Sequence, residues 1–249
     1  MTEDQNAFRR TDTAAPAGAS AVKTGQPDGR PDSRAIQDAM ADERAFAMLD
    51  PRDQLRLLLR EHMLSRPFSE LSPVVFDHRA QPLIGHIMLD TIEEQGYGLD
   101  DFDAVGALTA AAVPLVCAVM SAAASRGEDL DGFVMDFVYP SVKGPSIAGK
   151  KVVLLDAWLS EKSYVQTSSL VTLRNGNELS LDFGVVEAQG AEVVAVASLI
   201  GGVDLTDPTI RVANPVSGET RELPFIEIFH ESDLRDVDGT GSDSGADVA

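Results

Sequence analysis

The sequence predicts an α/β domain: a mainly parallel sheet flanked by helices, with a small hood. Short apolar runs of the sort a doubly covered sheet needs fall at residues 104–108, 133–138, 151–155 and 193–200. Stretches with helical spacing separate several of them, notably 110–124, and strand, helix, strand in succession argues a βαβ arrangement with right-handed crossovers. A sheet of roughly five strands is expected, close to the usual size.

Ahead of the strands, residues 35–49 and 54–64 carry leucine, methionine and phenylalanine at helical spacing, and Asp50-Pro51 between them supplies an N-cap with proline at the first helical position. Residues 82–95 predict a third helix, with Ile84, Ile87, Met88 and Ile92 on one face and Gly96 near its end. Residues 168–173 and 178–181 read as a hairpin turning at Asn175-Gly176, with a helix over 178–189 as the competing reading. The hood is assigned to the N-terminal helices and a C-terminal strand at 224–229. Residues 1–33 and 236–249 are rich in Ala, Gly, Pro, Ser and Asp without periodicity, so they are expected to be disordered tails around a domain at 34–235.

Hydrophobic residues make up 44% of the chain, which suffices for a core. The formal net charge of -20 sets up a field that repels nucleic acid and anionic membrane, so neither is an expected partner. The same field hinders a ligand carrying several phosphates unless cations are concentrated where it docks. The one cysteine, Cys117, lies in the apolar run at 113–120 and is read as core filler. With no basic N-terminal region leading into an apolar segment, a cytoplasmic location is expected.

Ligands of open parallel sheets bind beyond the carboxyl ends of the strands, which directs attention to the segments after Leu108 and Leu155. There the chain resembles a known family. Phe68-Ser69-Glu70-Leu71-Ser72-Pro73-Val74-Val75-Phe76-Asp77-His78-Arg79 resembles the entry segment of orotate phosphoribosyltransferases, and Val105-Gly106-Ala107-Leu108-Thr109 resembles the first substrate loop of their actinobacterial members. Val142-Lys143-Gly144-Pro145-Ser146-Ile147-Ala148-Gly149-Lys150-Lys151-Val152-Val153-Leu154-Leu155-Asp156 resembles the approach to the phosphoribosyl pyrophosphate motif, and 190–197 the strand after it. The resemblance implies a type I phosphoribosyltransferase fold and a homodimer. It also implies transfer of a phosphoribosyl group to orotate with magnesium, a step of pyrimidine biosynthesis.

The positions that perform this chemistry depart from the family pattern. In the family two acids end the strand and contact the ribose hydroxyls, and a glycine-rich loop then closes backbone N–H groups round the 5-phosphate. Here Asp156 stands at the first acidic place, Ala157 at the second, and Ser160-Glu161-Lys162-Ser163-Tyr164 in the loop. A carboxylate at Glu161 about 4 Å from a phosphate oxygen costs on the order of 4 kcal/mol at an effective dielectric near 20. A micromolar ligand has only about 8 kcal/mol in all. The family's flexible basic loop, which holds pyrophosphate, is replaced by the apolar Phe137-Val138-Tyr139-Pro140-Ser141.

Asp156, Ser160, Lys162 and Ser163 are therefore the remnant ligand contacts, with Thr109 and Lys143 as further candidates and no catalytic residue or metal cluster expected. Asp77-His78-Arg79 reads as a solvated turn, and His62, His86 and His230 as satisfied or solvent-facing imidazoles. Two functions follow. One is a non-catalytic relative that binds a nucleotide or phosphoribosyl ligand, forms a homodimer or pairs with a related transferase, and exposes Phe137, Tyr139 and Trp158. The other is a divergent transferase, in which Asp156, Ser160, Lys162 and Lys143 converge on one pocket.

Overall fold

The computed structural model describes residues 43–63, 67, 70–136, 141–160, 171–174, 178–181, 183–202, 209–213, 218 and 220–235. Both expected tails, the expected apolar loop at Phe137 and Tyr139, and Glu161, Lys162, Ser163 and Tyr164 lie outside these residues.

Helix α1 (Glu43–Ala47) is followed by α2 (Pro51–Met63), which starts where the sequence predicts. The Asp50 carboxylate accepts from the Arg52 N–H at 2.9 Å, satisfying a donor that the first turn leaves open, and its carbonyl accepts the first intrahelical bond from the Gln54 N–H at 2.9 Å. A short α3 (Ser72–Val75) leads through the turn Asp77-His78-Arg79 into α4 (Ala80–Glu94), after which Gly96 takes the positive φ of 90° that ends the helix.

Next comes the βαβ unit. Strand β1 (Ala104–Ala107) runs into a 3₁₀ turn (Ala110–Ala112) and then α5 (Val113–Ser125), with β2 (Asp131–Met135) parallel to β1. The remaining elements are β3 (Val142–Lys143), β4 (Lys151–Ser160), β5 (Val171–Arg174), β6 (Glu178–Leu181), α6 (Phe183–Glu187), β7 (Glu192–Gly202), β8 (Thr209–Ala213), β9 (Thr220–His230) and α7 (Glu231–Arg235). They form a sheet in the order β3-β2-β1-β4-β7-β9-β8-β6-β5. The central strands β2, β1, β4, β7 and β9 are mutually parallel, as the apolar runs imply. The larger strand number comes from short antiparallel and edge additions, including the expected hairpin, whose β5 and β6 pair antiparallel from Val171–Leu181 to Arg174–Glu178.

The C-terminal strand differs from its expected place. It is longer than 224–229 and lies inside the sheet beside β7, pairing Val196 with Phe225 and Ser198 with Glu227. The N-terminal helix packs over its end: Arg52 donates to the Ile228 carbonyl at 2.6 Å, and the guanidinium groups of Arg52 and Arg56 lie 5.5 and 5.4 Å from the Phe229 ring centre.

Two apolar layers cover the sheet. On one side Val105, Val153, Leu155, Ala195 and Ala197 pack under α2, α4 and α5; on the other Leu154, Val196, Phe225 and Phe133 pack with Val185 and Val186 of α6. Cys117 does not join the first layer and is exposed. The helical phase explains it, because Leu115, Val116, Ala118, Val119 and Ala122 form the buried stripe of α5 and leave position 117 outside.

Helices α4 and α5 approach closely at Gly85, where a Cβ would lie 2.3 Å from the Ala118 carbonyl oxygen. Gly85→Ala is expected to push the two helices apart and cost about 1–3 kcal/mol in urea unfolding. A loss below a few tenths would show that the crossing is loose.

Candidate functional site

Strand β4 does not stop at Leu155. Its pairing with β7 continues through Asp156–Ser198, Trp158–Ile200, Leu159–Gly201 and Ser160–Gly202. The sequence-level placement of Asp156 at a strand end is thereby corrected: Asp156 sits within a ten-residue strand, flanked by the buried Leu155 and Ala157. Extended backbone reaches Ser160, the first position of the segment in which the resemblance puts a phosphate-binding loop. Beyond Leu155, where the β1 pairing ends, the strand keeps β7 as its partner among the described residues, and its extended backbone does not offer the concave row of amides that cradles phosphate.

Asp156 is 3% exposed. One carboxylate oxygen accepts from the Thr109 hydroxyl at 2.8 Å and from the Ala157 N–H at 2.7 Å, while the other is buried without a hydrogen-bond partner. Burial pushes its pKa up to about 6, against the opposing pull of the Thr109 hydroxyl and the Ala157 and Trp158 N–H groups. Thr109, itself buried, is brought to the site by the turn after β1, so two of the sequence candidates do meet.

The others do not. Lys143 is largely exposed on β3 and pairs with Asp136 at 3.4 Å, which ties its ammonium to the β2–β3 hairpin. Ser160 is placed as the last residue of β4; Lys162 and Ser163 lie outside the described residues. Trp158 is half-buried instead of forming an exposed apolar face, and its indole N–H donates to Glu231 at 2.8 Å, whose second oxygen accepts from Arg235 at 2.7 Å. Strand extension places it there, packed beside the core on the register of Ile200.

The turn at Asp77 behaves as expected. Asp77 accepts from both the backbone N–H and the guanidinium of Arg79, at 2.7 and 2.9 Å, and His78 is exposed. The Arg79 hydrogen bond holds the Asp77 carboxyl below its usual range. His86 is exposed, His230 half-buried against Glu227 at 3.1 Å, and His62 buried. Among the described residues no three of His, Cys, Asp and Glu gather as a metal site, and no helix is long and apolar enough to cross a membrane.

Two polar residues, one buried and one half-buried, escaped the sequence reading. Ser198 is fully buried with its hydroxyl unpartnered, and Glu227 has one carboxylate oxygen buried and unpartnered. The available signal was the presence of a polar residue inside an apolar run.

No family model matches the chain. Curated relatives do: the orotate phosphoribosyltransferase of Streptomyces avermitilis is 34% identical over 139 residues, 53% of this chain and 66% of its own length. That of Tropheryma whipplei is 32% identical over 57% of this chain and 61% of its own length. The match thus spans just under two thirds of these relatives. Among solved structures, the Mycobacterium tuberculosis orotate phosphoribosyltransferase in complex with inorganic phosphate matches at a TM-score of 0.51 and 23% identity, covering 76% of this chain and 92% of that one. The shared fold, together with 34% identity to the Streptomyces avermitilis protein over 139 residues, makes this chain a relative of the orotate phosphoribosyltransferases with a type I phosphoribosyltransferase fold.

Proposed function

We propose that this chain is a catalytically inactive relative of orotate phosphoribosyltransferase that serves as a binding or regulatory protein. The observation that carries the reading is the run of β4 through Asp156, Ala157, Trp158 and Leu159 to Ser160 in register with β7. An acid that contacts ribose must present its oxygens at a strand end, whereas the Asp156 carboxyl is enclosed and engaged by Thr109. Departing pyrophosphate needs cations positioned around it. One sequence candidate for such a cation, Lys143, pairs with Asp136.

This reading assigns no magnesium site. Among the described residues no three of His, Cys, Asp and Glu gather, and one oxygen of Asp156 is buried without a hydrogen-bond partner. No step is derived through the metal.

In this reading the fold is retained as a scaffold. Its partners are a second copy of the chain or a related transferase, or a nucleotide or phosphoribosyl ligand other than phosphoribosyl pyrophosphate held without turnover. The test is an assay with orotate, phosphoribosyl pyrophosphate and magnesium, followed by loss of orotate absorbance. The reading expects a rate indistinguishable from the protein-free control. Orotidine 5'-monophosphate formed in proportion to protein concentration would overturn it in favour of a divergent transferase of pyrimidine biosynthesis.

A further inference from the structure

Arg52, Arg56 and Arg60 recur at every fourth position of α2, so their side chains share one face of the helix, and each residue is half-buried. That face lies against the end of β9 and against α7. Arg52 donates to the Ile228 carbonyl at 2.6 Å, and Arg60 to the Asp233 carbonyl at 2.6 Å. The guanidinium carbons of Arg52 and Arg56 stand 5.5 and 5.4 Å from the centre of the same Phe229 ring.

The chain has 40 acidic residues against 20 lysines and arginines, so a guanidinium with a carboxylate beside it is the ordinary case. Arg79, Arg126, Arg221 and Arg235 each bond one. Arg52 differs: among the described residues its guanidinium is held by a neutral carbonyl and the Phe229 ring. Both attract a cation without cancelling its charge. The Asp50 carboxylate is turned to the Arg52 backbone N–H, and Asp53 is engaged by Arg56. Two guanidinium groups over one ring thus share a single carboxylate, and this side of α2 calls for a further anion.

Residues 236–249 supply it. They follow α7 directly, carry Asp236, Asp238, Asp243 and Asp247, and contain no lysine or arginine. We propose that this segment docks on the arginine face of α2, its aspartates pairing with Arg52 and Arg56. The reach is sufficient. The Asp233 carbonyl already sits on Arg60, and from Arg60 back to Arg52 the helix rises about 12 Å. Residues 236–243, extended, cover about 25 Å. A segment tethered this close is present at an effective concentration on the order of millimolar, so ion pairs that are individually weak in water hold it in place. A second copy of the chain, with its net charge of -20, has to approach against long-range repulsion instead. The docked segment is then an internal anion that an acidic partner must displace to reach α2.

The test is paramagnetic relaxation in the full chain. C117A removes the native thiol, S242C places a nitroxide in the segment, and amide signals are compared with the label oxidised and reduced. Selective signal loss is expected at residues 52–60 of α2. It should vanish in 1 M salt, where the screening length is about 3 Å. It should vanish equally when D236N, D238N, D243N and D247N are combined, and in R52Q with R56Q. Signal loss spread evenly over the surface, or absent from α2, overturns the proposal. So does a loss on α2 that survives high salt or the four asparagines, since charge then does not make the contact. The aspartate variants alter no described residue, so the test stands even if R52Q with R56Q fails to fold.

Discussion

Replacing Asp156 by Asn is expected to leave the fold at least as stable as the native chain at pH 4 and more stable by up to about 3 kcal/mol at pH 8. In the folded chain burial lifts the Asp156 pKa to about 6 from the ordinary 3.8. Between those values the folded state holds a proton that the unfolded state has released. Stability from this group is therefore fully present below pH 3.8, falls as pH rises, and levels off above about 6. A shift of this size corresponds to about 3 kcal/mol. Asn keeps the shape and an acceptor for Thr109, whose hydroxyl donates at 2.8 Å, but carries no charge to bury. Urea unfolding at both pH values checks it. Equal destabilisation at pH 4 and pH 8 would show that the carboxyl is bound for its charge, as a ligand-binding acid would be.

Phe133→Ala should produce the largest loss among apolar substitutions near the site, about 3–5 kcal/mol. Phe133 is 1% exposed and its ring lies over Gly106, where a Cβ would come within 2.2 Å of Cζ. The two residues are register partners on β2 and β1, so the missing side chain of one strand is filled by the ring of the next. Adding Gly106→Ala to the Phe133→Ala chain should recover part of the loss by refilling the hole. If Phe133→Ala costs less than about 1 kcal/mol, the ring does not hold β2 against β1 in the way described.

Much of the scaffold was legible in the sequence because the central strands are buried on both faces and read as unbroken apolar runs. Asp50-Pro51 marked a helix start by local chemistry alone. What escaped depended on neighbours. The segment Asp156-Ala157-Trp158-Leu159-Ser160 reads as a loop since a charged residue ends the apolar run, yet pairing with β7 draws it into the sheet. Cys117 was misplaced by treating residues 113–120 as a run when the helical phase decides which side faces the core. Ser198 and Glu227 pair in register across β7 and β9, a neighbourhood that no single stretch of sequence contains.

For the site itself, the sequence pointed to Asp156 and Thr109, and they are hydrogen-bonded. It also grouped Lys143 with them, but the β2–β3 hairpin carries Lys143 to Asp136. The continuation of β4 to Ser160 gives a structural reason for the glycine-free sequence there, since a segment that forms a strand has no use for the backbone freedom of a phosphate loop.

The measurement that bears most directly on this account is calorimetric titration of the full chain with phosphoribosyl pyrophosphate and magnesium at physiological salt. The account predicts no heat attributable to binding at ligand concentrations up to roughly 100 μM, a threshold of about 5–6 kcal/mol. Saturable one-to-one binding tighter than that, abolished in D156N, would contradict it.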